Sequence, residues 1–175
     1  VQIASDSYGI GELATRRLID DGCRRILCLR SNSRMRMPAN KRTDAYLDVV
    51  EQAGLSALVR EVEFVKPDDE KGAVVAKILD ENPDIDGIFA GDDTMAAICL
   101  NVMKQRGLSA PDDIKVVGAD GARRTMTFMP DLTTVRQDID RIGELAAQSI
   151  IALINGDNPE SNIKLPVELI EGKTA

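Results

Sequence analysis

The chain has 175 residues (19.0 kDa), 43% of them hydrophobic and 29% charged, enough for one well-filled core or two small linked ones and not the composition of a disordered segment. Its net charge of −7 argues against a general nucleic-acid-binding surface. The absence of any histidine excludes Ser-His-Asp and Cys-His catalysis, HExxH zinc sites and histidine proton shuttles.

In chain order, Val1 to Asp6 opens in a strand-like run with no signal-peptide pattern and no initiator Met, and reads as part of something longer. Ile10, Leu13, Ala14 and Leu18 recur at helical spacing up to Gly22. Ile26 to Leu29 is a short apolar run of the buried-strand type. A helical stripe through Arg42, Ala45, Tyr46, Val49 and Val50 ends at Gly54, and Leu58 to Phe64 is β-rich. Pro67-Asp68-Asp69 leads into a helix carrying Val74, Val75, Ile78 and Leu79, closed by Asn82-Pro83. Gly87 to Ala90 is a strand, followed from about Thr94 by a helix that buries Met95, Ile98, Cys99 and Val102. Ile114 to Gly118 is a strand and Leu132 to Gln137 is extended. Ile142, Leu145, Ala146, Ile150 and Leu153 stripe a long helix that stops at Asn155-Gly156. Leu165 to Ile170 is a last strand, whose Pro166 suggests a sheet edge.

This alternation predicts an α/β fold, a mostly parallel sheet with helices on both faces. Ligands of such sheets bind beyond the carboxyl ends of the strands, which directs attention to the residues just after each strand. They are Gly91-Asp92-Asp93-Thr94, Ala119-Asp120-Gly121-Ala122, the polar loop from Arg30 to Lys41 that leads to Arg42, and Thr133 to Asp138. Asp92 and Asp120 can accept paired hydrogen bonds from hydroxyls or amines, and Arg42 offers a planar fork of donors. Against these stand plainer roles: Asp93 is read first as a helix cap, and Asp120-Gly121 as a turn pair. Asp68, Asp69, Asp112 and Asp113 are read as caps and turn residues, Arg123 and Arg124 as solvated surface, and Tyr46 and Phe89 as core. Cys23, Cys28 and Cys99, an odd number without CxxC spacing, read as reduced thiols of a cytoplasmic protein. No apolar run approaches the roughly 20 residues that span a bilayer, so no membrane partner is expected.

Together these segments resemble the effector-binding domain of the LacI/GalR family of bacterial transcriptional regulators, which has a periplasmic-binding-protein-like type I fold. The resemblance rests on Asp6, Gly11, Ala14, Leu18 and Gly22, on Arg42-Thr43-Asp44-Ala45-Tyr46, and on Ile88 to Ala96. It also rests on Pro111-Asp112-Asp113-Ile114 to Asp120 and, most specifically, on Pro130 to Gln137. It implies two α/β lobes joined by three crossovers with a small polar effector between them. By position it assigns Arg42, Asp92, Asp120 and Gln137 to the effector site, with the loop at Phe64 as a further candidate. It implies no cofactor, no metal and no catalysis, a homodimer, and operator DNA bound through a headpiece that these residues do not contain.

Some positions depart from the family pattern: Cys23 for a usual His, Ala45 for Gly, Ala119 for an aromatic and Asp92 for Asn. A smaller and more acidic pocket suits a neutral sugar or polyol, or an amine, better than a sugar phosphate. The resemblance divides the chain into an N-lobe remnant (1–23), a C-terminal effector lobe (24–135), a crossover with an N-lobe helix (136–158) and a return strand (159–175). The two N-lobe helices carry apolar stripes and are expected to fold back on the lobe or to pair with another copy. Two other classes stay open: a sugar-binding receptor of a transport system with the same fold, and an enzyme holding Mg²⁺ on Asp92, Asp93 and Asp120.

Overall fold

The computed structural model describes residues 1–32 and 39–175, so the central part of the loop between Arg30 and Lys41 lies outside the described residues. Two sheets organise the chain. A small parallel pair joins β1 (Gln2–Ser5) to β7 (Asn162–Leu165). The large sheet has the order β3 (Leu58–Glu63), β2 (Ile26–Asn32), β4 (Gly87–Ala90), β5 (Lys115–Asp120), β6 (Thr133–Gln137), β8 (Val167–Ile170). Its neighbours are parallel except for the antiparallel pair β6–β8.

The strands follow from period-two alternation between two covered faces. Leu27, Leu29, Ile88, Ala90 and Val116 pack with α3 (Asp68–Glu81) and α4 (Asp93–Gln105) through Val75, Ile78, Met95, Cys99 and Val102. Cys28, Phe89, Val117, Ala119 and Val135 point to the other face, against α1 (Ser7–Asp20) and α2 (Ala39–Gln52). Burial on both sides explains why β4 reads as an unbroken apolar run, with all four residues buried. Tyr46 on α2 fastens its helix to the sheet: its hydroxyl donates to Ile26 O at 2.7 Å and accepts from Leu58 N at 2.8 Å.

Helix α1 packs against the large sheet. Its stripe of Ile10, Ala14 and Leu18 is fully buried against the large sheet, so the changeover between sheets falls at Ser5 to Ser7. Periodicity identifies a buried stripe but not which sheet buries it. At Gly11 a Cβ would come within 2.0 Å of Arg42 O, so the missing side chain lets α1 lie directly on the first turns of α2.

The single last strand expected over Leu165 to Ile170 is two strands in two sheets. Pro166, which has no N–H to donate to a ladder, stands between β7 and β8. The chain therefore passes between the sheets three times: at Ser5 to Ser7, at Gln137 to Ile139 where it enters α6 (Ile139–Ile154), and at Pro166. A short helix, α5 (Arg123–Phe128), fills the stretch that the sequence reading left as surface. Arg123 there pairs with Asp140 and is well exposed. Helix α6 touches β1 but buries only Ser149, leaving Ile150, Ile151, Leu153 and Ile154 exposed. Among the described residues no helix is long and apolar enough to cross a membrane.

Candidate functional site

The crossover from β2 to β3 runs one way along the large sheet and the step from β4 to β5 runs the other, so the direction of winding changes between β2 and β4. Helices on opposite faces diverge at such a point, and a crevice opens beyond the strands' carboxyl ends. A cleft of about 660 Å³ lies there, walled also by Ser5, Ser7 and Ile142 from the crossover at residues 5–7 and from α6. All five residues singled out in the sequence, Arg42, Phe64, Asp92, Asp120 and Gln137, line it. A second hollow of about 840 Å³ lies between α5, β6 and β8, and it contains neither Arg42 nor the ends of β2 and β4.

Arg42 and Asp120 are side by side. Arg42 Nη2 donates to Asp120 Oδ1 at 2.8 Å, and its Nη1 donates to Gly91 O. Gln137 Nε2 donates to the same Asp120 Oδ1 at 2.7 Å. Two donors thus converge on one carboxylate oxygen, and among the described residues Oδ2 takes no partner, so its accepting capacity is intact. Asp120 holds φ at +105°, a region that side-chain-bearing residues rarely adopt, and Gly121 follows at +57°.

The assignment of helix capping is corrected. Asp92, not Asp93, is the N-cap of α4, with Oδ1 accepting from Met95 N at 2.8 Å. Its Oδ2 accepts from Ser31 Oγ at 3.2 Å, which ties the ends of β2 and β4 together across the cleft. Asp93 is instead the first residue of the helix and is buried. Burial, more than any neighbour, pushes its carboxyl up to about 6, and the charge of Asp120 adds to this. The arrangement does not suit a divalent cation: Asp93 is turned to Thr134 and Asp120 is held by Arg42 and Gln137. Among the described residues, no three acidic or cysteine side chains cluster as metal ligands.

Phe64 is exposed at the cleft edge with Lys71 Nζ 5.8 Å from its ring centroid, while Lys71 also pairs with Asp68 at 3.2 Å. Ser31 and Thr94 are cleft residues that lie within the strand-end segments singled out in the sequence but were given no role of their own, and Lys71 is one that sequence reasoning missed. Ser31 had the weak signal of following an apolar strand directly. Lys71 had none, because the face of α3 that meets the cleft depends on how β3 crosses into it. Phe89, read as core, is core and cleft floor at once. Cys28 also lies on the floor, with its thiol raised by burial to about 12, so it is a packed hydrophobe and not a nucleophile.

Residues 15–175 match the family model of the periplasmic binding protein-like domain. The sucrose operon repressor of Lactococcus lactis subsp. lactis is 33% identical over 170 residues, which is 97% of this chain and 52% of that protein. The transcriptional regulator CelR with cellobiose bound superposes with a TM-score of 0.87 at 29% identity, over 99% of this chain and 53% of that one. A periplasmic binding protein/LacI transcriptional regulator from Alkaliphilus metalliredigens QYMF, complexed with D-xylulofuranose, gives 0.85 at 26% identity, over 99% and 65% of the two chains. The chain spans about half the length of repressors such as that of L. lactis. On this match and this fold, the chain belongs to the periplasmic binding protein-like domain family, among the effector-binding domains of LacI-type regulators.

Proposed function

We propose that this chain is the ligand-sensing part of a cytoplasmic bacterial transcriptional repressor of the LacI type. In that reading the cleft takes a neutral sugar and contacts it through Arg42, Asp92, Asp120 and Gln137, with Phe64 at the rim. The observation that carries it is the convergence of Arg42 and Gln137 on one oxygen of Asp120. The pair neutralises the arginine inside the cleft and leaves carboxylate lone pairs for sugar hydroxyls. A phosphorylated sugar is disfavoured, since Asp92 and Asp120 both face the space and Arg42 is already paired. The names of the relatives support a sugar: a sucrose operon repressor, and regulators with cellobiose or D-xylulofuranose bound.

In the same reading β1, β7 and α6 belong to a second lobe and the three crossings between sheets act as its hinge. Sugar binding would favour one arrangement of the lobes, and that differential affinity would bias operator binding by a DNA-binding headpiece, in a homodimer. Calorimetric titration of the 175-residue chain with sucrose, cellobiose and D-xylulose tests the sensing role. Binding of one of them is expected, and Asp120→Asn should weaken it about 10- to 100-fold, as loss of a hydrogen bond to a charged group does. No binding of any neutral sugar, or an unchanged affinity in the variant, overturns the reading.

A further inference from the structure

Beneath the cleft floor, three residues from three elements meet. Asp93 at the start of α4 is 3% exposed, and its Oδ1 accepts from Thr134 Oγ1 of β6 at 2.6 Å, while its Oδ2 has no hydrogen-bond donor. Gly118 of β5 lies over the pair: a Cβ there would come within 2.7 Å of Asp93 Oδ1 and 3.3 Å of Thr134 Oγ1. The amides of Gly121 and Ala122 favour the charged carboxylate without closing a bond to Oδ2.

Each member of this knot is a near neighbour in sequence of a cleft residue. Asp93 follows Asp92, Gly118 shortly precedes Asp120, and Thr134 shortly precedes Gln137. The positive φ of Asp120 persists only where the surroundings over-determine it, and the backbone amides of Gly121 and Ala122 just after it act on the carboxylate of Asp93. We propose that Asp93 is a positioning residue: bound by Thr134 under β5, it holds the Asp120–Gly121 turn so that Asp120 is presented to the ligand. Its importance for binding rests on the sugar-sensing reading, but its hold on the turn does not.

The groups that face Asp93 are Asp120 from β5, which is negative, and Thr134 from β6, which is neutral; Asp92 precedes it on its own segment. Burial raises its midpoint to about 6, which makes the hold on the turn readable by titration.

The test is NMR of the whole chain from about pH 4 to about pH 8, following side-chain carboxyl carbons and backbone amides. The amides of Asp120, Gly121 and Ala122 are expected to shift with the midpoint of Asp93, and Asp93→Asn should abolish that inflection. Turn amides that ignore the titration of Asp93 overturn the proposal. With whichever of sucrose, cellobiose and D-xylulose binds, Asp93→Asn and Thr134→Val should each weaken affinity about tenfold, while Thr134→Ser retains it. A folded Asp93→Asn chain that binds at full affinity also overturns it. If no sugar binds, the sensing reading fails, and the amide titration still decides the positioning role.

Discussion

At Asp93 the cost of a buried carboxylate can be read as a pH dependence. Unfolded, the group ionises near 3.8; folded, at about 6. Below the lower value it is protonated in both states and its stabilising difference is complete. As pH rises through 6 the folded chain must place a charge in a buried site, and that stability, about 3 kcal/mol over the whole range, is lost. Asp6 works in the opposite sense. Burial raises its pKa, but the bonds from Gly9 N and Lys164 outweigh that and lower it overall, so its contribution is lost as pH falls. Urea denaturation of the chain and of Asp93→Asn at matched pH cancels such background terms. The difference should swing in favour of the variant as pH rises from about 4 to about 7. Tyr46→Phe should cost about 1–3 kcal/mol at any of these pH values, because Leu58 N loses its acceptor in a dry interior. The sequence marked Tyr46 as core correctly. It could not distinguish Asp92 from Asp93 as the cap, because both are carboxylates at a helix start and only the backbone angles decide which one turns outward.

Among the elements, α1 and α2 show how an apolar stripe positions a polar residue. Gly11 brings the helices so close that Arg42 O occupies the space of a side chain. Gly11→Ala should therefore push α2 outward, destabilise the chain by about 1–3 kcal/mol and move Arg42 off Asp120. Weaker sugar affinity alongside reduced denaturant stability would be the signature. If Gly11→Ala retained full affinity and stability, Gly11 would not be what sets the position of Arg42. The large-sheet strands and five of the six helices among the described residues were legible because period-two and period-3.6 patterns are strong in long segments. Helix α5 was not, since its six residues carry no buried side chain and so no stripe. The break at Pro166 was half legible: proline announced an edge, but the change of sheet depends on where β1 and β6 lie.

Over the whole molecule, one apolar surface stands out. Ile150, Ile151, Leu153 and Ile154 of α6 are each more than half exposed, together with Ile139 at its start. Apolar area of this kind favours association. The chain should bind a hydrophobic dye and self-associate with rising concentration, and the double substitution Ile151→Lys and Ile154→Lys should reduce both while far-UV circular dichroism is unchanged. A monodisperse monomer without dye binding would show that the face is harmless as it stands. Composition and pattern alone determined the α/β class and the strand ends, with Arg42, Asp92 and Asp120 near them, as the place for a ligand; Gln137 and Phe64 entered only through the family resemblance. Pattern reached that far because helical and strand periods and the end of an apolar run are local properties of the chain. The tertiary structure decided that α1 belongs to the large sheet, that Asp92 caps while Asp93 is buried on Thr134, and that Arg42 and Gln137 share one oxygen of Asp120. These are pairings between segments 40 or more residues apart in most cases, set by which faces pack together and by the handedness of the crossovers. No local period encodes them.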